Sequence, residues 1–216
     1  MDEIILIDKP KDMSSFGVVA RVRRILTERN GAKVKVGHTG TLDPFATGLL
    51  ILLAGKATKR SNDFLKLDKV YEATMVLGKT STTGDTEGEI SNFDGNVPTE
   101  DEVEFALEAF VGESEQKVPA FSAVKINGGR AYDLARKGQE VETPTRTIAI
   151  YNIELLEYKY PEIKYRAHVS SGTYIRTLSE DIGKALGTRA YTSELRRLKI
   201  GDYKIEDATT LEDFMN

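Results

Sequence analysis

The sequence contains no cysteine and only two histidines in 216 residues. Without cysteine there is no disulfide framework, no thiolate nucleophile and no zinc cluster, and two histidines leave little for any transition-metal site. Carboxylates and hydroxyls must carry any chemistry, and no metal is expected. No apolar run approaches the length of a membrane span, and the start of the chain lacks the basic-then-apolar pattern of a signal peptide. These absences predict a cytoplasmic protein with no membrane partner. No Pro/Ser-rich linker, repeat or low-complexity run divides the chain. One catalytic domain over residues 1–216 is the economical expectation, and a hydrophobic content of 40% supplies its core.

The net charge of -4 taken alone weighs against a nucleic-acid partner. Its distribution points the other way. Lys and Arg outnumber Asp and Glu 13 to 8 over residues 1–70 and 14 to 9 over residues 121–200, whereas residues 71–120 carry 2 against 12. A fold that joins the two basic segments makes a positive face suited to a polyanion.

Local patterns predict the elements. Ser14 or Ser15 can cap a helix whose apolar stripe is Val18, Val22 and Ile25/Leu26, with Arg21, Arg23 and Arg24 on the remaining positions. Thr99 and Glu102 make a capping box for a helix over 100–110, and "TLSEDIGKALG" reads as a helix that stops at Gly187. "GGRAYDLARKG" reads as a short helix ending at Gly138. Tyr71, Ala73, Met75 and Leu77 alternate with Val70, Glu72, Thr74 and Val76, as Ile163, Tyr165, Ala167 and Val169 do with Lys164, Arg166, His168 and Ser170, predicting strands with one dry face. "AIYNIELLEY" is a further strand that changes phase near Asn152, where a bulge is expected. Helices and strands are interspersed without a steady βαβ rhythm. The expected fold class is therefore α+β, a mixed and largely antiparallel sheet with helices packed on it.

The stretch "GHTGTLDPFATG" at residues 37–48 has no Lys-Ser/Thr at phosphate-loop spacing and is not a dinucleotide fingerprint, so no nucleotide cofactor is expected. No nucleophile elbow or metal-ligand spacing is present either. What remains is one carboxylate, Asp43, in a glycine-rich loop, where an aspartate is ordinarily a turn former.

The same stretch closely resembles the signature of the TruB family of tRNA pseudouridine synthases. "DKPKDMSS" at 8–15, "KVYEA" at 69–73, "VPAFSAVKINGGRAYDLARKG" at 118–138, "SSGTYIRTLSEDIG" at 170–183 and "LRRLKIG" at 195–201 resemble further family segments in the family's order. Asp12 stands where the family usually has glycine, a change expected to alter a turn and leave the chemistry untouched. A C-terminal RNA-binding domain of the PUA type, which family members commonly carry, is not expected in this chain.

The resemblance implies the pseudouridine synthase fold and isomerisation of uridine 55 in the T loop of tRNA, with no cofactor and no required protein partner, by a monomer. Asp43 would be the nucleophile, attacking either the ribose or the base. An ordinary carboxylate with a pKa near ~3.9 is already ionised at neutral pH and needs orientation more than deprotonation. Arg176 would keep it charged when substrate excludes water. Tyr71 would stack on the flipped uracil, Tyr174 would shape the pocket, Leu195 would close it, and His38 would touch RNA where the base departs. Lys9, Arg21, Arg23, Arg24, Lys125 and Arg130 are expected on the RNA-facing side. The competing readings are a non-catalytic tRNA-binding or tRNA-folding protein and a guide-dependent relative acting on ribosomal RNA.

Overall fold

Five consecutive large apolar residues, Leu49–Leu53, require cover on both faces of any strand they form. The computed structural model, which describes residues 2–122, 124–126, 129–131 and 142–215, supplies it. In chain order the elements are β1 (Asp2–Lys9), α1 (Ser15–Asn30), β2 (Val36–His38), β3 (Thr47–Gly55), α2 (Ser61–Leu65), β4 (Lys69–Leu77), β5 (Lys79–Ser81), β6 (Ile90–Asn92), α3 (Glu100–Glu108) and β7 (Gly112–Lys117). They continue with β8 (Lys125–Ile126), β9 (Gly129–Arg130), β10 (Thr145–Lys159), β11 (Glu162–Val169), α4 (Ile175–Ala185), β12 (Ala190–Ile200), β13 (Tyr203–Lys204), β14 (Thr209–Thr210) and α5 (Leu211–Met215). The chain falls into two compact units, Met1–Glu72 with Glu194–Asn216, and Ala73–Ser193. It passes from one to the other within β4 and returns within β12.

In the first unit β3 is the centre of a mixed sheet. β1 and β2 run antiparallel to it, the second half of β12 runs parallel to it from the pair Arg196 and Thr47, and β14 runs parallel to β1. Leu50 and Leu52 pack with Ile5, Ile7 and the α1 stripe of Val18, Val19, Val22 and Leu26. Leu49, Ile51 and Leu53 face the other way, against Phe64 and Ile200. Ser14 caps α1 by accepting from Gly17 N, and Gly31 ends it at φ 64°, a left-handed angle that glycine adopts at no steric cost.

The second unit is built on β11, β10 and β7, with β10 antiparallel to both neighbours. β10 shifts register between Ile150 and Asn152, the bulge expected there, and again between Leu155 and Glu157. Thr99 and Glu102 form the full capping box of α3, which packs against β10. In β11 the buried residues are the alternating set Ile163, Tyr165, Ala167 and Val169. In β4 the alternation is lost beyond Glu72: Ala73 to Leu77 are all buried, because that half of the strand is covered on both faces. Of the segment "GGRAYDLARKG", Gly129 and Arg130 lie in β9, and residues 132–138 lie outside the described residues. No helix among the described residues is long and apolar enough to cross a membrane.

Among the described residues Asp12 is the non-glycine residue with a positive φ, 61°. An L side chain in that region costs on the order of 1 kcal/mol, less for Asp than for bulkier residues. Asp12→Gly is therefore expected to stabilise the protein by a few tenths of a kcal/mol up to about 1, the relieved strain being partly offset by the greater freedom of glycine in the unfolded chain. Chemical denaturation of the variant checks this, and a loss of stability refutes it.

Candidate active site

Asp43 lies in the loop between β2 and β3, half-buried, and both of its neighbours are anchored through their backbones. Ser15 Oγ accepts from Leu42 N and donates to Leu42 O, both at 2.8 Å. Pro44 O accepts from Asp12 N at 2.9 Å and from Lys9 Nζ at 3.1 Å. A turn closes over the aspartate, with Ala46 N donating to Asp43 O at 3.1 Å. The stretch "DKPKDMSS" thus acts on the carboxylate's loop from the end of β1 and the start of α1.

The loop is held from beneath by Arg197, which is buried and donates from Nε to Leu49 O at 2.8 Å and from Nη2 to Gly40 O at 3.1 Å. Gly48 is required at this crossing: its φ is 103°, and a Cβ there would fall 2.3 Å from Arg197 O. Arg196 completes the strand with two bonds to the Asp8 carboxylate, at 2.7 and 3.1 Å. These anchors fix the backbone on either side of Asp43.

Apart from Lys9, the remaining predicted residues of the first unit divide into three groups. Tyr71 on β4 and Leu195 on β12 are buried, at 9% and 7% exposure. His38 is half-buried at the end of β2, with Nδ1 accepting from Gly40 N at 3.4 Å. Burial first, and the Arg197 charge second, hold its imidazole below the usual histidine range, so it is neutral at neutral pH. Arg21 and Arg24 are exposed and Arg23 half-exposed on the outer side of α1, where Arg24 makes a loose 3.9 Å pair with Glu28.

Lys9 is a correction to the expectation of an RNA-facing cation. It is fully buried, and its ammonium donates to the carbonyls of Pro10, Met13 and Pro44 at 2.8, 2.6 and 3.1 Å. With its three donors taken by three carbonyls it fastens the Asp43 loop rather than a phosphate.

In the second unit Arg176, on the first turn of α4, is 5% exposed and ion-paired with Asp85 at 3.1 Å. Its guanidinium also donates to Thr83 O and Phe121 O, both at 2.8 Å. Asp85 is itself 2% exposed, and its other oxygen accepts from Thr83 Oγ1 at 2.6 Å and Glu87 N at 2.9 Å. The turn carrying it is pinned by Thr192 N donating to Gly84 O at 2.9 Å. Asp85 was not singled out from the sequence, where it lies in a run rich in acidic residues. The signal that could have found it is "TTGDTEG", an aspartate flanked by hydroxyls and glycines, which favours a turn closed by its own side chain.

Tyr174 caps the start of α4 with its ring half-exposed, two residues before Arg176. Lys125 and Arg130 are opposite each other in the β8–β9 pair. Among the described residues no cluster of His, Cys, Asp or Glu could hold a metal ion.

The family profile described as TruB family pseudouridylate synthase (N terminal domain) matches residues 23–175, and that of the tRNA pseudouridylate synthase B C-terminal domain matches residues 176–216. The chain belongs to the TruB family of pseudouridylate synthases. It is 48% identical to the tRNA pseudouridine synthase B of Phocaeicola vulgatus, over 98% of this chain and 91% of that protein. It is 45% identical to that of Aquifex aeolicus, over all of this chain and 74% of that protein. Among solved structures, the Cbf5-Nop10-Gar1 complex is similar with a TM-score of 0.75 and 36% identity, over 97% of this chain and 52% of the compared chain. An H/ACA RNP bound to a substrate RNA containing 2'-deoxyuridine is similar with a TM-score of 0.71 and 33% identity, over 97% of this chain and 51% of that chain. The TruB-family chain thus spans about half the length of these structural relatives. Its α+β architecture is that of a pseudouridine synthase, and its chemistry is that of an isomerase.

Proposed function

We propose that this tRNA pseudouridine synthase acts on uridine 55 of the T loop, with Asp43 as nucleophile and Arg176 as a catalytic cation. The observation that carries the reading is the anchoring of Leu42 and Pro44 on the two sides of Asp43, which fixes the backbone that presents a half-buried carboxylate. Isomerisation moves the glycosidic bond from N1 to C5 of the same base, so it consumes no co-reactant. A nucleophile, a pocket for an unstacked base and a phosphate-binding surface suffice. Unstacking costs roughly a few kcal/mol, and aromatic faces are the usual compensation. Tyr71 and Tyr174 are the aromatic residues assigned to that role, with Leu195 as the pocket's closure and His38 as an uncharged contact to RNA.

Arg21, Arg23 and Arg24 are the phosphate contacts on α1. Lys125 and Arg130, at opposite positions of the β8–β9 pair, join them in this proposal. Replacing Arg21 and Arg24 together by glutamine is expected to weaken RNA binding and to lower the slope of log K against log salt by roughly 1.5. An unchanged slope would return both arginines to the solvated face of the helix.

The deciding experiment incubates the purified chain with unmodified tRNA transcript and nothing else, then maps pseudouridine. Product at position 55 supports the proposal. Tight binding without product selects a tRNA-folding protein, and product only in the presence of a guide RNA selects the guide-dependent reading.

A further inference from the structure

β7 is an exposed strand with one buried member, and that member is polar. Along "GESEQK" only Gln116 is buried, at 3% exposure. Its amide is spent on a single residue 58 positions away. Gln116 Oε1 accepts from Tyr174 N at 2.8 Å, and Gln116 Nε2 donates to Tyr174 O at 3.0 Å. A primary amide carries both a donor and an acceptor and so can accept from and donate to one peptide residue at once. The bond to the backbone N–H matters because Tyr174 is the N-cap of α4 and its own side chain makes no capping bond.

The neighbouring strand takes hold of the ring. In the β7–β10 register Arg146 stands directly opposite Gln116. The Arg146 guanidinium carbon lies 5.7 Å from the centroid of the Tyr174 ring, within the range of a cation–π contact. Gly172 leaves room for it: a Cβ there would sit 2.8 Å from Arg146 Nη1, and the φ of 85° excludes most side chains in any case. One cross-strand pair therefore grips both the backbone and the ring of one half-exposed tyrosine. Core packing has no need of this, because the residue that is gripped is not in the core.

We propose that Gln116 and Arg146 are positioning residues that act through Tyr174, holding its ring at the angle the uridine pocket requires and setting the first turn of α4 that carries Arg176. The proposal rests on the reading of Tyr174 as a wall of that pocket. Neither residue belongs to the set expected from the sequence, and neither is asked to touch the reacting atoms.

The test uses the full chain and unmodified tRNA transcript, with Gln116→Met and Arg146→Lys made in the parent and in a Tyr174→Leu background. Methionine keeps the length of the side chain and removes both hydrogen bonds. Lysine keeps the charge and removes the planar stack. In the parent each variant is expected to lower the single-turnover rate by about tenfold or more, as misplacement near a reacting centre does, with RNA affinity changed less than about twofold. In the Tyr174→Leu background Arg146→Lys is expected to have no further effect on the rate, because the ring it acts through is gone. Exchange of the Tyr174 amide hydrogen is expected to accelerate in Gln116→Met.

Rates within twofold of the parent overturn the proposal. So does a loss confined to RNA affinity, which would make Arg146 a phosphate contact, or an equal loss from Arg146→Lys in both backgrounds, which would make that contact merely structural. If Gln116→Met does not fold, the half-exposed Arg146→Lys decides the matter by the same comparison. If the parent chain makes no pseudouridine, the functional reading fails, and unaltered Tyr174 amide exchange in Gln116→Met is then the result that overturns the clamp.

Discussion

Asp43→Asn is expected to leave the fold and RNA affinity intact and to lower pseudouridine formation by at least about a thousandfold, which corresponds to roughly 4 kcal/mol of barrier. The amide reproduces the shape of the carboxylate but lacks the anionic oxygen that the proposal assigns to the attack. Retention of the fold follows from the bonding pattern. The loop is tied through Leu42 to Ser15, through Pro44 to Lys9 and Asp12, and through Gly40 and Leu49 to Arg197, all of them bonds to backbone groups that the substitution does not alter. Single-turnover rates and RNA dissociation constants, measured on the same preparation, separate the two halves of this prediction. Turnover within about tenfold of the parent would remove Asp43 from the nucleophile's role.

Asp85→Ala is expected to strike stability and activity together. The substitution leaves the Arg176 guanidinium 5% exposed with its charge partner removed. Removing one partner of a buried ion pair costs about 3–5 kcal/mol. The Thr83 and Glu87 donors that now meet the Asp85 carboxylate would lose their acceptor as well. A fall in melting temperature of roughly 6 °C or more is expected for a chain of this size. Activity should fall by about tenfold or more even at temperatures where the variant is folded, because Arg176 would no longer be fixed. Asp85→Asn keeps the acceptor for Thr83 and Glu87 and removes only the charge, so it should retain more of the stability than of the activity. A thermal scan and a rate measured well below the transition check both statements. A variant that melts with the parent would show that the bonds from Arg176 to the Thr83 and Phe121 carbonyls, not the ion pair, carry this part of the structure.

The regular elements were legible in the sequence because their causes are local. A cap such as Ser14, a capping box such as Thr99 with Glu102, and a strand alternating every second residue, as from Ile163 to Val169, depend on neighbours within about four positions. The α+β class, the bulge at Asn152 and the glycine-rich loop around Asp43 followed from the same short-range patterns. The extension of burial to both faces of β4 beyond Glu72 did not, since cover on a strand's second face comes from elements elsewhere in the chain.

Tertiary structure alone decided how the polar groups are spent. Lys9 reads as a surface cation in "DKPKDMSS", yet the approach of the Asp43 loop encloses it and turns its three donors onto carbonyls, one of them 35 positions away. Arg176 finds Asp85 across 91 positions, and Gln116 finds Tyr174 across 58. Such pairings depend on which strands lie side by side and in what register, and residue order does not encode them locally. By itself the sequence determined the elements, the family and the candidate nucleophile. The fold determined which side chains hold that nucleophile's loop and the first turn of α4 in place, because a buried hydrogen-bonding group must find its partner wherever the packed chain brings one within about 3 Å.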